Sequence, residues 1–386
     1  MSEARPLRIA VVAGEESGDL LGADLVTALA AATGRKVELV GVGGRHLQAL
    51  GLVSLFEASE IALMGVTAVL RDLPRLIRRI GLVARTVADA RPDCLITIDS
   101  PGFGLRVAQK VRAAAPDIPI VHYVCPSVWA WGPSRARAMK GHVDQVLCLL
   151  PFEPADLARL DGPRGTFVGH RLTREPGLVA AAAQVRPSPP GEPRRLLVLP
   201  GSRRSEVGRL IAPFGETVER LHARGNRFEV TVPTVPHVER MVRDAVAGWS
   251  VSPAIVTAPE DRWRAFAAAD CALAASGTVT LELALARVPT ISCYRTDWMW
   301  RAAMGLVTTW SASLPNLVAG WPVVPEYYNE YVRPETLARL IEQLWADTPQ
   351  RAAQLSGFER IAGLLATERP AGELAAEVVL AEIGRR

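Results

Sequence analysis

A chain of 386 residues is long enough for two domains, each with a core of its own. Its 49% hydrophobic and 22% charged residues describe a globular protein and exclude a disordered one. A net charge of +4, with no RNP-type, zinc-finger or helix-turn-helix pattern, gives no case for nucleic-acid binding. The five cysteines (Cys94, Cys125, Cys148, Cys271 and Cys293) form no C-x-x-C pair and no Cys/His cluster of metal-ligand spacing. Reduced thiols, no metal site and a cytoplasmic setting are therefore expected. Met1 to Arg8 lacks the apolar core of a signal peptide. The longest stretch without Asp, Glu, Lys or Arg, Ala302 to Pro325, is broken by Pro315, Gly320 and Pro322, so no membrane-spanning helix is expected there.

The first strand is expected over Leu7–Val12, ending in Ala13-Gly14-Glu15-Glu16-Ser17-Gly18-Asp19. A helix follows, then a strand over Val37–Val42, giving a β-α-β unit. Gly14 and Gly18 do not complete G-x-G-x-x-G, so no nicotinamide cofactor is implied. Leu70–Val87 reads as a helix with Leu70, Leu73, Ile77, Ile80, Ala84 and Val87 on one face and Arg71, Arg75, Arg78 and Arg85 on another. Its stripe either packs on the sheet or leans, with the arginines, on an anionic membrane. Further strands are expected at Cys94–Asp99, Ile118–Val124, Gln145–Leu149 and Phe167–His170, the first running into Ser100-Pro101-Gly102. Strands alternating with helices imply a parallel sheet covered on both faces.

Pro187–Pro193 reads as a linker, after which the pattern restarts with strands at Leu196–Leu199, Glu229–Val232, Ala254–Val256, Cys271–Ala274 and Thr290–Cys293. The expected domains are 1–186 and 187–345. Closing helices over 346–386 pack back on the first domain or on a partner chain.

Leu199-Pro200-Gly201-Ser202-Arg203-Arg204 places a helix N-terminus and two arginines at one mouth. Such a turn binds phosphate, unless it is an ordinary turn with solvated arginines. Ala275-Ser276-Gly277-Thr278 repeats the device, with Ser276 and Thr278 as candidate caps and Gly277 admitting a ligand to the backbone. Glu282, one turn on, suits a ribose diol; otherwise it pairs with Arg287 or another cation. In the first half, Asp99 ends a buried strand and suits a general base, or else forms a turn before Pro101. Glu15 suits orientation of an acceptor hydroxyl, or is a helix-dipole carboxylate. His122, inside a strand, is a core histidine first and a catalytic one second. Trp298-Met299-Trp300-Arg301 reads as core or as a lining for acyl chains.

These residues resemble one family, lipid-A-disaccharide synthase. The resemblance rests on Ala13–Asp19, Gly41–Gly44, Met64-Gly65, Ile98-Asp99-Ser100-Pro101, and His122-Tyr123-Val124-Cys125-Pro126-Ser127-Val128-Trp129-Ala130-Trp131. It continues through Leu150-Pro151-Phe152-Glu153, Phe167–His170, Leu199–Glu206, Ala275–Thr278 with Glu282, Pro315-Asn316-Leu317 and Pro325-Glu326. Three departures stand out: Gly102 and Gly104 where the family has an acidic residue and Asn, Arg171 where it has Pro, and Ala68 in place of an acidic residue.

The resemblance implies an α/β fold of two Rossmann-like domains (GT-B glycosyltransferase fold) with the active site in the inter-domain cleft. It implies transfer of 2,3-diacylglucosamine from UDP to the 6-hydroxyl of 2,3-diacylglucosamine 1-phosphate, without cofactor or metal. Asp99, with Glu15 and His122, would be catalytic. Gly201, Ser202, Arg203, Arg204, Ser276, Gly277, Thr278, Glu282, Asn316 and Glu326 would hold the UDP donor. Met64, Arg71, Arg75, Arg78, Trp129, Trp131, Trp298 and Trp300 would form an acceptor, acyl or membrane surface. The partners expected are the two acylated sugars and inner-membrane lipids on the cytoplasmic face, with a homodimer left open. The alternatives are a UDP-sugar epimerase of the same fold and a catalytically silent membrane scaffold.

Overall fold

The computed structural model describes residues 5–61, 66–184, 187, 189–296 and 307–385, with the backbone alone over 66–72. The chain divides into two compact units, Met1–Arg171 with Thr367–Arg386, and Leu172–Ala366. Each is a six-stranded sheet in which every neighbouring pair is parallel.

In the first unit β1 (Leu7–Ala13), β2 (Val37–Val42), β3 (Cys94–Ile98), β4 (Ile120–Tyr123), β5 (Gln145–Cys148) and β6 (Arg164–Phe167) lie in the order β2-β1-β3-β4-β5-β6. Runs such as Ile9–Ala13 and Cys94–Ile98 are apolar at nearly every position because helices cover both faces of the sheet. The chain goes from β1 to one side and returns on the other, so the sheet reverses direction between β1 and β3. The final helix, Ala371–Gly384, belongs to this unit: Ala375, Ala376 and Val379 share a core with Leu21, Leu25 and Leu29 of helix Glu16–Thr33. Gly372 makes the approach close, since a Cβ there would lie 3.0 Å from the Asp24 carbonyl oxygen.

In the second unit β7 (Arg194–Leu199), β8 (Phe228–Pro233), β9 (Ala254–Val256), β10 (Cys271–Ala275), β11 (Thr290–Tyr294) and β12 (Glu326–Tyr328) take the order β12-β11-β10-β7-β8-β9. Here the reversal falls between β7 and β10. Ligands of doubly wound sheets bind beyond the carboxyl ends of the strands at that point.

Several expectations change. The last strand of the first sheet is Arg164–Phe167, not Phe167–His170: it is a half-exposed edge with no apolar run to announce it. The crossing into the second unit precedes the Pro-rich stretch, because Leu178 and Ala181 already pack in the core of the second sheet with Phe266. Of the closing helices, Pro349–Leu365 stays with the second unit and only the last joins the first. The helix Val66–Ala90 buries Ile80, Val83, Ala84 and Val87, but Leu73 and Ile77 are 43% and 55% exposed. Its apolar stripe therefore leaves the core halfway along.

Candidate active site

The second unit carries a cavity of about 350 Å³ at its switch point, lined from the ends of β7 and β10. Gly201 has φ +116 and Gly277 φ +153, backbone conformations that side chains rarely adopt, so both turns depend on glycine. After β7, Arg203 is the N-cap residue of helix Arg204–Ala223, while Arg204 itself is exposed. The N–H groups of Ser202 and Arg203 donate to Glu206 Oε2 at 3.0 and 3.2 Å, and Arg203 Nη1 donates to Oε1 at 3.2 Å. The turn therefore already gathers one anionic group, from within its own helix. Glu206 stands in the motif, but only the folded turn shows that its carboxylate takes these donors.

After β10 the expected caps differ from those found. Gly277 is the N-cap residue of helix Thr278–Leu285 and no side chain caps it, so Ser276 and Thr278 are free of that task. Ser276 Oγ instead donates to the Ala312 carbonyl at 3.1 Å. Thr278, Ser276 and Glu282 all line the cavity. Glu282 pairs with Arg262, whereas Arg287, the partner considered from sequence, pairs with Glu359. Twenty residues separate Arg262 from Glu282, and no local pattern announces the pair. Burial pushes the Arg262 guanidinium down to about 10.

Buried Asn316 and half-buried Glu326 form one network. Asn316 Oδ1 accepts from the Val323 and Val324 N–H groups at 2.8 Å, and Nδ2 donates to Val324 O at 2.9 Å and Glu326 Oε2 at 3.0 Å. Glu326 also takes Ser311 Oγ, Tyr328 OH and, at 3.1 Å, the Ala312 N–H. Burial and that carboxylate push the Tyr328 phenol up. Both polar side-chain atoms of Asn316 are thus spent on residues 323–326, and Glu326 in turn takes the Ala312 N–H of the segment that meets Ser276, which makes Asn316 a shaper of the loop.

In the first unit the loops after β1 and β3 meet at the switch point. A Cβ on Gly14 would lie 2.5 Å from Ile61 Cγ2 and 3.2 Å from Ser100 Oγ, so the Glu15 turn sits against the Asp99 turn. Asp99 and Ser100 are consecutive residues with φ +51 and +39. Such strain is held only where the surroundings over-determine it, and it gathers at functional sites. Asp99 is half-buried, and Oδ1 accepts the Ser100 N–H at 2.8 Å. Glu15 is the N-cap residue of helix Glu16–Thr33.

His122 lies one strand inward. It is fully buried, its Nδ1 is 2.7 Å from Thr97 Oγ1 across the β3–β4 register, and burial pushes its pKa down to about 4. This is the core-histidine alternative, with a ring neutral at physiological pH. The same Thr97 accounts for one departure from the family pattern: a Cβ on Gly104 would lie 3.2 Å from Thr97 Cβ, whereas a Cβ on Gly102 would meet only Arg106 Nη1, in ordinary contact at 3.8 Å.

Among the described residues one donor group comes close enough to share an ion. The thiols of Cys125 and Cys148 and the Glu153 carboxylate lie within 4.8 Å of one another, all buried. Strand neighbours bring together residues too far apart in sequence to read as a cluster. Glu153 already serves the fold, accepting from the Leu149 and Leu150 N–H groups at 3.1 and 3.0 Å and from Trp129 Nε1 at 3.4 Å. Burial pushes it up to about 7. Trp129 stacks edge-on with Phe152, and exposed Trp131 lies under Arg135. Arg75 and Arg79 pair with Glu60, while Arg78 is exposed. Met64, Trp298 and Trp300 and the side chain of Arg71 lie outside the described residues.

Two doubly wound parallel sheets, each with turns gathered at its switch point, define a glycosyltransferase-type fold. The UDP-GlcNAc 2-epimerase of Neisseria meningitidis has it (TM-score 0.61, 12% identity, 98% of this chain and all of that one). So does the calicheamicin glycosyltransferase CalG4 (TM-score 0.60, 16% identity, 99% of each chain). The family model described as lipid-A-disaccharide synthetase matches residues 9–377. The lipid-A-disaccharide synthase of Rhodopseudomonas palustris strain HaA2 is 49% identical over 383 residues, covering 97% of this chain and 95% of that protein. The chain belongs to the lipid-A-disaccharide synthase family of glycosyltransferases.

Proposed function

We propose that the chain transfers 2,3-diacylglucosamine from UDP-2,3-diacylglucosamine to the 6-hydroxyl of 2,3-diacylglucosamine 1-phosphate, releasing UDP and the β-1′,6 disaccharide. An α-linked donor giving a β product requires one inversion, hence one base and one stabilised leaving group. Asp99 takes the proton from the acceptor hydroxyl, and Glu15 on the adjoining turn orients that hydroxyl. The Ser202 and Arg203 N–H groups and the two guanidiniums of Arg203 and Arg204 take the diphosphate in place of Glu206 as charge develops on UDP. Glu282 holds the ribose, and the Asn316–Glu326 network fixes the loop beside Ser276. His122 moves no proton in this scheme; through Thr97 it ties β4 to the strand that carries Asp99.

One observation carries the reading. Both glycine turns of the second unit open on a single cavity that has Arg203 at its mouth and the Glu282 carboxylate in its wall. Incubating the purified chain with both acylated sugars should give disaccharide and UDP in equal amounts. An epimerised nucleotide sugar would make it an epimerase, and no turnover a scaffold.

The acylated substrates of this reaction favour a bilayer as its setting. We assign membrane contact to the outward half of helix Val66–Ala90, where Leu73 and Ile77 stand exposed beside Arg75, Arg78 and Arg85. No helix among the described residues is long and apolar enough to cross a membrane, so this contact is peripheral in kind. The cytoplasmic face of the inner membrane and a homodimer remain part of the proposal.

A further inference from the structure

The wall of the second unit's cavity holds an ion pair with a structural imbalance. Glu282 is only 9% exposed and stands between buried Leu281 and Leu283, where an ionised carboxylate needs a partner. Among the described residues it has one, Arg262, which reaches Oε2 through a single nitrogen. Oε1 has no protein partner there, although a guanidinium opposite a carboxylate commonly engages both oxygens. Arg262 is itself held in place. Its guanidinium lies 4.9 Å from the Trp263 ring centre and 5.3 Å from that of Phe266, both from its own helix, Pro259–Ala268. Both members of the pair line the cavity.

We propose that Arg262 is a positioning residue for nucleotide recognition: it fixes Glu282 end-on, so that the remaining oxygen reads the vicinal diol of a ribose and disfavours a 2′-deoxyribose. The inference rests on the reading that this cavity takes a uridine nucleotide, and it adds how the pentose is selected. A diol brings two O–H donors to a carboxylate with one oxygen unspent. A deoxyribose leaves part of that capacity buried and unsatisfied, which a charged acceptor tolerates poorly. Lysine would keep the charge but not the flat fork that the two rings hold.

The test is calorimetric titration of the full chain with UDP and with 2′-deoxy-UDP, for wild type, Arg262→Met and Arg262→Lys. Wild type should prefer UDP by about 10- to 100-fold, the range expected for hydrogen bonds to a charged group. In Arg262→Met the preference should fall below about threefold, while 2′-deoxy-UDP binds within about twofold of wild type. Arg262→Lys should recover part of the preference, and it decides the matter alone should the methionine variant not fold. A full wild-type preference in Arg262→Met, or an equal loss of both nucleotides, would reduce the pair to a structural brace and overturn the proposal. Wild type that binds neither nucleotide would overturn the nucleotide reading itself. Wild type that binds both equally would overturn the diol assignment alone.

Discussion

Arg203 meets its own helix before it meets any ligand. Its guanidinium and the N–H groups of residues 202 and 203 converge on the Glu206 carboxylate, so the donors are already aimed at one anionic group, which a phosphate must displace. Arg203→Ala should therefore weaken UDP binding by about 10- to 100-fold, the worth of a charge-assisted hydrogen bond, with thermal stability little changed. Titration calorimetry checks this, and an unchanged dissociation constant would move the diphosphate elsewhere. The residues that announce themselves in the sequence are those whose type alone is informative next to a strand end: Gly201, Arg203, Gly277 and Asp99. Arg262 did not, nor did the thiol pair Cys125 and Cys148. Their meaning lies in neighbours that only the sheet supplies.

Among elements, the loop bearing Trp129 and Trp131 is tied to the turn after β5 by a buried acid. Glu153 holds the Leu149 and Leu150 N–H groups and the Trp129 indole, yet burial raises its carboxyl from 4.5 to about 7. The folded state thus binds a proton more tightly than the unfolded chain does. That contribution is fully present below about pH 4.5 and is lost as pH rises through about 7, by ~3 kcal/mol across the window. Glu153→Gln should flatten the fall in melting temperature between pH 5 and 8. An identical slope in the variant would assign the pH dependence to other groups. Strands were legible here because parallel sheets bury continuous apolar runs, as at Cys94–Ile98. Two of the four edge strands were not: Arg164–Phe167 and Glu326–Tyr328 have half-exposed faces and no such run, whereas the edges Val37–Val42 and Ala254–Val256 were read with the bounds the structure gives. The amphipathic period of helix Val66–Ala90 was legible, but not how far along its length the core reaches.

At the scale of the whole chain, one polypeptide builds two sheets of related design and returns its last helix to the first. The sequence showed the repeat of strand and turn, but the Pro-rich 187–193 stretch was a poor guide to the crossing, since the chain enters the second unit fifteen residues earlier. The membrane assignment also belongs to this scale. Wild type should float with vesicles containing anionic lipid at low salt and less so at high salt. A Leu73→Asn/Ile77→Asn variant should stay behind while keeping its fold. Equal flotation of the two would place the contact elsewhere.

The proposed reaction divides labour, with nucleotide held by the second unit and proton transfer carried by the first. The most direct measurement is turnover together with the UDP dissociation constant in Asp99→Asn. The predicted result is a loss of turnover on the order of a thousandfold, with UDP affinity within about twofold of wild type. Retained turnover, or loss of turnover and UDP affinity together, would contradict it.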